Sequence, residues 1–177
     1  PAMIPTHLKS AVEQNLSQLF NSQVKILWDN TIGGGCINSA HKIETNNGSY
    51  FLKWNDAHAY PGMFEAEAKG LILLHNAKAI QIPKVITIGE SDATSFIILE
   101  LIESRKRVNN FWQDFGQKLA TLHQHISSSF GLDHDNYIGS LPQSNKQHST
   151  WTNFFIHERL EKQISLARNS GTIGNST

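Results

Sequence analysis

Cysteine is nearly absent from this sequence: Cys36 is the single thiol among 177 residues. One cysteine excludes an intrachain disulfide framework, and a reducing, cytoplasmic setting is the simplest expectation. An excess of either charge is missing too, since 15 Lys and Arg balance 15 Asp and Glu. Nothing global therefore draws the chain to nucleic acid or to a membrane surface. No apolar run is long enough to span a bilayer. The opening PAMIPTHLKS lacks the charged and apolar regions of a signal peptide. Nine histidines are present, but neither an HExxH spacing nor a second cysteine accompanies them, so no metal ligand is expected. Internal repeats are lacking as well. With 39% hydrophobic and 17% charged residues, the chain reads as globular, with room for one domain or two small lobes.

What is present falls into two halves. THLKSAVEQNLSQLF places Leu8, Val12, Leu16 and Leu19 on one helical stripe, with Thr6 as candidate N-cap. QVKILWDNTI, CINSAHKIET and SYFLKW follow as strands, the last two joined by the turn signal NNG at 46–48. Pro61 opens a second helix, PGMFEAEAKGLILLHN, with Phe64, Glu67, Leu71 and Leu74 on one stripe and Asn76 at its end. KVITIGE and TSFIILELI add two strands. The first half is thus a five-stranded antiparallel sheet with one inserted helix. ESRKRVNN, residues 103–110, reads as a solvated connector. Beyond it, NFWQDFGQKLATLHQHI carries Trp112, Phe115, Leu119, Leu122 and Ile126 at helical spacing. A long loop over 127–149 precedes a last helix with Ile156, Leu160, Ile164 and Ala167 as its inner face. His123, Trp151, Phe154 and Phe155 read as core. The expected fold class is α+β, divided into 1–103 and 104–177.

The chemistry gathers around Lys53. Strand alternation puts Tyr50, Leu52 and Trp54 on one face and Phe51 and Lys53 on the other. A lysine at mid-strand needs either water or a partner, because an unpaired buried ammonium is costly. Glu67, on the apolar stripe of the next helix, has the same need. The two are inferred to form an ion pair. Ahead of them Gly33, Gly34 and Gly35 join two strands rather than a strand and a helix. There is no GKS or GKT and no βαβ unit, so neither a Walker loop nor a dinucleotide fingerprint is present. A glycine-rich turn, a strand lysine and a helix glutamate, in that order, match protein-kinase-like nucleotide sites. There glycine lets backbone N–H groups approach phosphate oxygens without a Cβ in the way. Phe96 to Leu99 would form the sheet interior, and Glu100, Leu101 and Ile102 would begin the connection to the second lobe. Cys36 beside the glycines is either an exposed thiol able to link two copies of the chain or a small side chain that fits the strand start.

Several segments together resemble the fructosamine kinases, or ketosamine-3-kinases. GGGCIN resembles the family's glycine-rich loop, FLKWN its lysine strand and MFEAEAKGLILL its glutamate helix. FGQKLATLHQH resembles a further helix of the family, and FGLDHDNYIGSLPQSN followed by WTNFFIHERL resembles its most distinctive block. The resemblance implies a protein-kinase-like fold and an ATP- and Mg²⁺-dependent kinase. Such an enzyme phosphorylates the sugar 3-hydroxyl of ketoamines, either small molecules or glycated lysines of proteins, and so frees the amine. Carried over by position, it implies that Gly33, Gly34, Gly35 and Cys36 line the phosphates. Lys53 contacts them, Glu67 braces Lys53, and Glu100, Leu101 and Ile102 form the adenine hinge.

The sequence departs from that pattern at one point. Family members continue into an HGD-type catalytic loop and a DP-type metal-binding aspartate, and this sequence has neither. Its nearest approach, LDHDN, belongs to a different family segment. The expectation is a C-terminally truncated member with no catalytic or metal-binding residue of its own and no turnover alone. Two other readings stay open: a nucleotide-binding fragment without catalysis, and a phosphotransferase of the aminoglycoside- or choline-kinase type, against which the PQSN and WTNFF block argues.

Overall fold

The computed structural model describes residues 3–33 and 37–174. Gly34, Gly35 and Cys36 therefore lie outside the described residues. The chain divides into two compact units, 1–125 and 126–177.

In the first unit, helix α1 (Thr6–Phe20) leads into strand β1 (Ile26–Thr31). Strands β2 (Ser39–Thr45) and β3 (Gly48–Asp56), helix α2 (Met63–Asn76) and strands β4 (Val85–Ser91) and β5 (Thr94–Glu100) follow, and helix α3 (Phe111–His123) closes the unit. The five strands form one antiparallel sheet in the order β1-β2-β3-β5-β4. Strand alternation decides what each face meets. Leu52 and Trp54 of β3, Ile43 of β2 and Phe96 and Ile98 of β5 pack with Leu8, Val12 and Leu16 of α1. Ile97 and Leu99 of β5 turn the other way and pack with Phe64 and Ala68 of α2. Strand β5 is thus buried on both faces, as its unbroken apolar run requires. Glu13 fastens α1 to the sheet, accepting from Lys25 Nζ at 2.8 Å and from the Ile26 N–H at 2.9 Å. Burial alone would raise its pKa. The Lys25 ammonium and the Ile26 N–H outweigh that and hold it below the usual carboxylate value.

Four sequence expectations are corrected here. Pro5, not Thr6, is the N-cap of α1, and Leu19 is exposed on the far side of its stripe. Helix α2 begins at Met63, because Gly62 takes a left-handed φ of 70° that ends the preceding turn. Helix α3 exists as expected but buries none of its residues. Its Trp112 and Phe115 are exposed, pack edge-on against one another, and Trp112 receives the Arg107 guanidinium 5.0 Å from its ring. Arg107 is exposed, as a solvated connector requires, and also lies over this ring.

In the second unit, the segment expected as a plain loop contains a hairpin of β6 (Asn136–Ile138) and β7 (Leu141–Gln143). Gly139 sits at its turn with φ 61°, the position that a two-residue primed turn reserves for glycine. The Phe130–His148 bridge closes the base. The last helix is interrupted: α4 (Trp151–Phe155) and α5 (Glu161–Asn169) flank a π-helical turn, Ile156–Leu160. Thr150 caps α4 by accepting from the Asn153 N–H. The expected inner face is overturned. Ile156, Leu160 and Ile164 are exposed, and the buried side chains are Phe154 and Glu158. The reason is the partner surface, which is polar. Asn145 accepts from Arg159 Nη2 at 2.6 Å and donates to the His134 carbonyl and to Asn136 Oδ1. Arg159 also donates to the Ser144 carbonyl at 2.6 Å and lies 4.6 Å from the Phe154 ring centre.

Candidate functional site

Lys53 projects from the middle of β3, on the face shared with Phe51. Its Nζ donates to both carboxylate oxygens of Glu67, at 2.8 and 2.7 Å. The inferred ion pair is present. Its geometry follows from the two periods: the strand puts every second residue on the α2 side, and α2 turns Glu67 toward the sheet. The lysine is 20% and the glutamate 27% exposed, so the pair is screened on one side by protein and open on the other. The ring of Phe64, 5.7 Å from Nζ, completes the ammonium's surroundings.

The open side is a cavity of about 430 Å³. Gly33, Asn38, Lys53 and Glu67 give it a polar end, and Phe51, Leu71 and Leu99 are among its apolar walls. One charged, donor-rich end and one greasy end suit a ligand that combines phosphates with a flat base. Among the described residues no group of three or more His, Cys, Asp or Glu could hold a metal ion.

The expected site residues separate into three groups. Gly33, Lys53 and Glu67 share this cavity. Glu100, Leu101 and Ile102 line a second one of about 560 Å³ with Ser49, Gln81 and Arg105. There Glu100 is occupied, its N–H and carboxylate bonding the backbone of Lys84. Gly34, Gly35 and Cys36 are not among the described residues. Lys42, on the cavity face of β2, reaches Glu103 at 3.1 Å and Glu44 at 3.4 Å. The Glu103 hydrogen bond is the main reason its pKa is raised, and it fastens the connector to the sheet.

Four residues lining the cavity, Ile37, Asn38, Ala40 and Pro83, were not singled out from the sequence. Ala40 faces Lys53 across the ladder and lines the cavity, which alternation along β2 could have shown. Asn38 also lines it, and no periodic signal marks it. His123, expected in the core, is exposed. The buried histidine is His41, held between Asp29 at 2.8 Å and Thr31 at 3.1 Å. Trp151 and Phe155 are likewise exposed, and only Phe154 of that group is buried.

Comparison with known proteins decides the family. The fructosamine kinase family model matches residues 8–176. The chain belongs to the fructosamine kinase family. It is 36% identical over 158 residues to a probable ketoamine kinase of Synechocystis, an alignment covering 89% of this chain and 53% of that protein. It is 40% identical over 141 residues to the chloroplastic protein-ribulosamine 3-kinase of Arabidopsis thaliana, covering 78% and 43%. A crystal structure of a candidate fructosamine-3-kinase from Haemophilus somnus superposes with a TM-score of 0.84 at 31% identity, over 93% of this chain and 56% of that one. The aminoglycoside phosphotransferase APH(4)-Ia shares the fold, with a TM-score of 0.57 at 17% identity over 94% and 54%. The protein-kinase-like α+β fold expected from the sequence is therefore present. The chain spans about half the length of the curated fructosamine kinase relatives it matches.

Proposed function

We propose that this chain is the nucleotide-binding half of an ATP-dependent ketoamine kinase. Residues 1–103 form the nucleotide lobe and residues 104–177 begin the helical lobe. Lys53 supplies positive charge to the phosphates, and Glu67 holds the ammonium in place. Gly33, Gly34, Gly35 and Cys36 border the phosphates, and the hinge at Glu100, Leu101 and Ile102 meets the adenine. The bidentate Lys53–Glu67 pair, opening on a cavity that Gly33 also lines, carries this reading. ATP fits the donor set, since Lys53 offers charge where polyphosphate would lie and Phe51 and Leu99 offer apolar contact for a base.

The names of the relatives, ketoamine and ribulosamine kinases, support a ketoamine as the substrate class. The acceptor would be the sugar 3-hydroxyl of a ketoamine, free or on a glycated lysine, and the setting a cytoplasm. ATP supplies the phosphoryl group. Magnesium would accompany it, on ligands this sequence does not contain. Phosphoryl transfer needs an aspartate to position the attacking hydroxyl and further ligands for the metal, and the sequence holds no HGD-type loop. These 177 residues alone are accordingly expected to bind nucleotide without turning over. A transfer assay with labelled ATP and a fructosyl-amine tests this. No labelled product from the 177 residues, and product once a downstream HGD-containing segment is joined, supports the reading. Robust product from the 177 residues alone contradicts it.

A further inference from the structure

Lys53 is not the only donor at the polar end of the cavity. Asn38 stands there too, and its amide is held from behind by a chain of hydrogen bonds whose polarity is fixed. Asn55 lies two residues beyond Lys53, on the same face of β3, and is buried. Its Oδ1 accepts from the Ser95 hydroxyl at 2.6 Å. Its Nδ2 donates to Met63 Sδ at 3.1 Å and to Asn38 Oδ1 at 3.0 Å. A thioether sulfur can only accept, so the Asn55 amide has one admissible orientation. That orientation in turn commits the Asn38 oxygen to Asn55. The Asn38 Nδ2 then remains as the donor of a residue that lines the cavity.

We propose that Asn38 is a ligand-binding residue that donates from Nδ2 to a phosphate oxygen of the nucleotide, and that Asn55 is the positioning residue that sets its orientation. This rests on the nucleotide reading of the site. Three elements converge on Asn55: the segment before β2 through Asn38, the start of α2 through Met63, and β5 through Ser95. The same helix carries Glu67. One buried amide thus fixes both the donor at the phosphate end and the helix that braces Lys53. A hydrogen bond to a charged oxygen is stronger than one between neutral groups, so the effect should appear with phosphorylated ligands and not with adenosine.

The test compares the affinity of the 177-residue chain for ATP and for adenosine by calorimetric titration. Asn38→Ala is expected to weaken ATP about tenfold and to leave adenosine unchanged. Asn38→Asp, which sets a carboxylate against the phosphates, is expected to weaken ATP further still. Asn55→Ala should reproduce part of the ATP loss through a freed Asn38. If it folds poorly, the two Asn38 variants decide the matter. Full ATP affinity in Asn38→Ala overturns the proposal, and so does an equal loss of ATP and adenosine. A wild-type chain that binds no ATP overturns the nucleotide reading itself and this inference with it.

Discussion

The sheet unit buries Phe96, Ile97 and Ile98 completely between two helices, whereas the described residues 126–174 bury one aromatic, Phe154, and otherwise close around Asn145, Glu158 and Arg159. The first arrangement is cohesive by area: each apolar side chain contributes on its own, and loss of one leaves a cavity. The second is cohesive by satisfaction. Asn145 is buried with its side-chain oxygen and nitrogen both bonded, and its N–H donates to the Asp135 carboxylate. Such a hub contributes little more than its hydrogen bonds while it is complete, but a missing member strands the rest. The cavity that holds the Lys53–Glu67 pair belongs to the first kind of unit.

The contrast can be broken most forcefully in the sheet. Phe96→Ala is expected to cost about 3–5 kcal/mol, read as a shift of the denaturant midpoint for residues 3–125. In the other unit, Asn145→Ala should cost about 2–4 kcal/mol, because the Arg159 guanidinium and the His134 carbonyl each lose a hydrogen bond in one step. Hydrogen exchange should accelerate in residues 126–174 and stay unchanged in the sheet. Gly131→Ala should cost about 1–3 kcal/mol in the same unit. Its φ is 134°, and a Cβ would meet the Asn145 carbonyl oxygen at 2.6 Å.

Acid sharpens the comparison further. Glu158 is held below the usual carboxylate value, first by the hydrogen bond from Ser144 and then by that from His148. A depressed native pKa means that the unfolded state binds the proton more readily. The stability it contributes is present above the unfolded value near 4.5 and is lost as pH falls through the lower native value. Exchange protection of the hairpin and π-helical turn should therefore weaken below about pH 4.5, and Glu158→Gln should flatten that dependence. The smallest effect is expected at the site. Glu67→Gln should change stability by about 1 kcal/mol or less, measured by thermal melting, since its carboxylate is partly open to water.

Much of the sheet unit was legible because its signals are local and periodic. Alternation separated Leu52 from Lys53, and a charge on each of two apolar faces was enough to pair Lys53 with Glu67. The second unit was less legible for a physical reason. Its helix packs a polar side, so the apolar stripe of Ile156, Leu160 and Ile164 pointed to the wrong face. The π-helical turn adds a residue that no 3.6-residue count anticipates. The hairpin was readable in principle from Gly139 and Ser140 between Ile138 and Leu141, but its strands are three residues each. Asn38 and Asn55 gave no signal, because an amide relay has no period and its worth depends on what lies across the sheet.

The central claim is that Lys53, braced by Glu67, is the phosphate-binding charge of a nucleotide cleft. Titration of ATP into the chain and into its Lys53→Met variant tests it most directly, with thermal melting run alongside. The expected result is measurable ATP binding to the wild-type chain, a loss of about tenfold or more in the variant, and near-equal melting temperatures. Equal ATP affinity in the two proteins would contradict it.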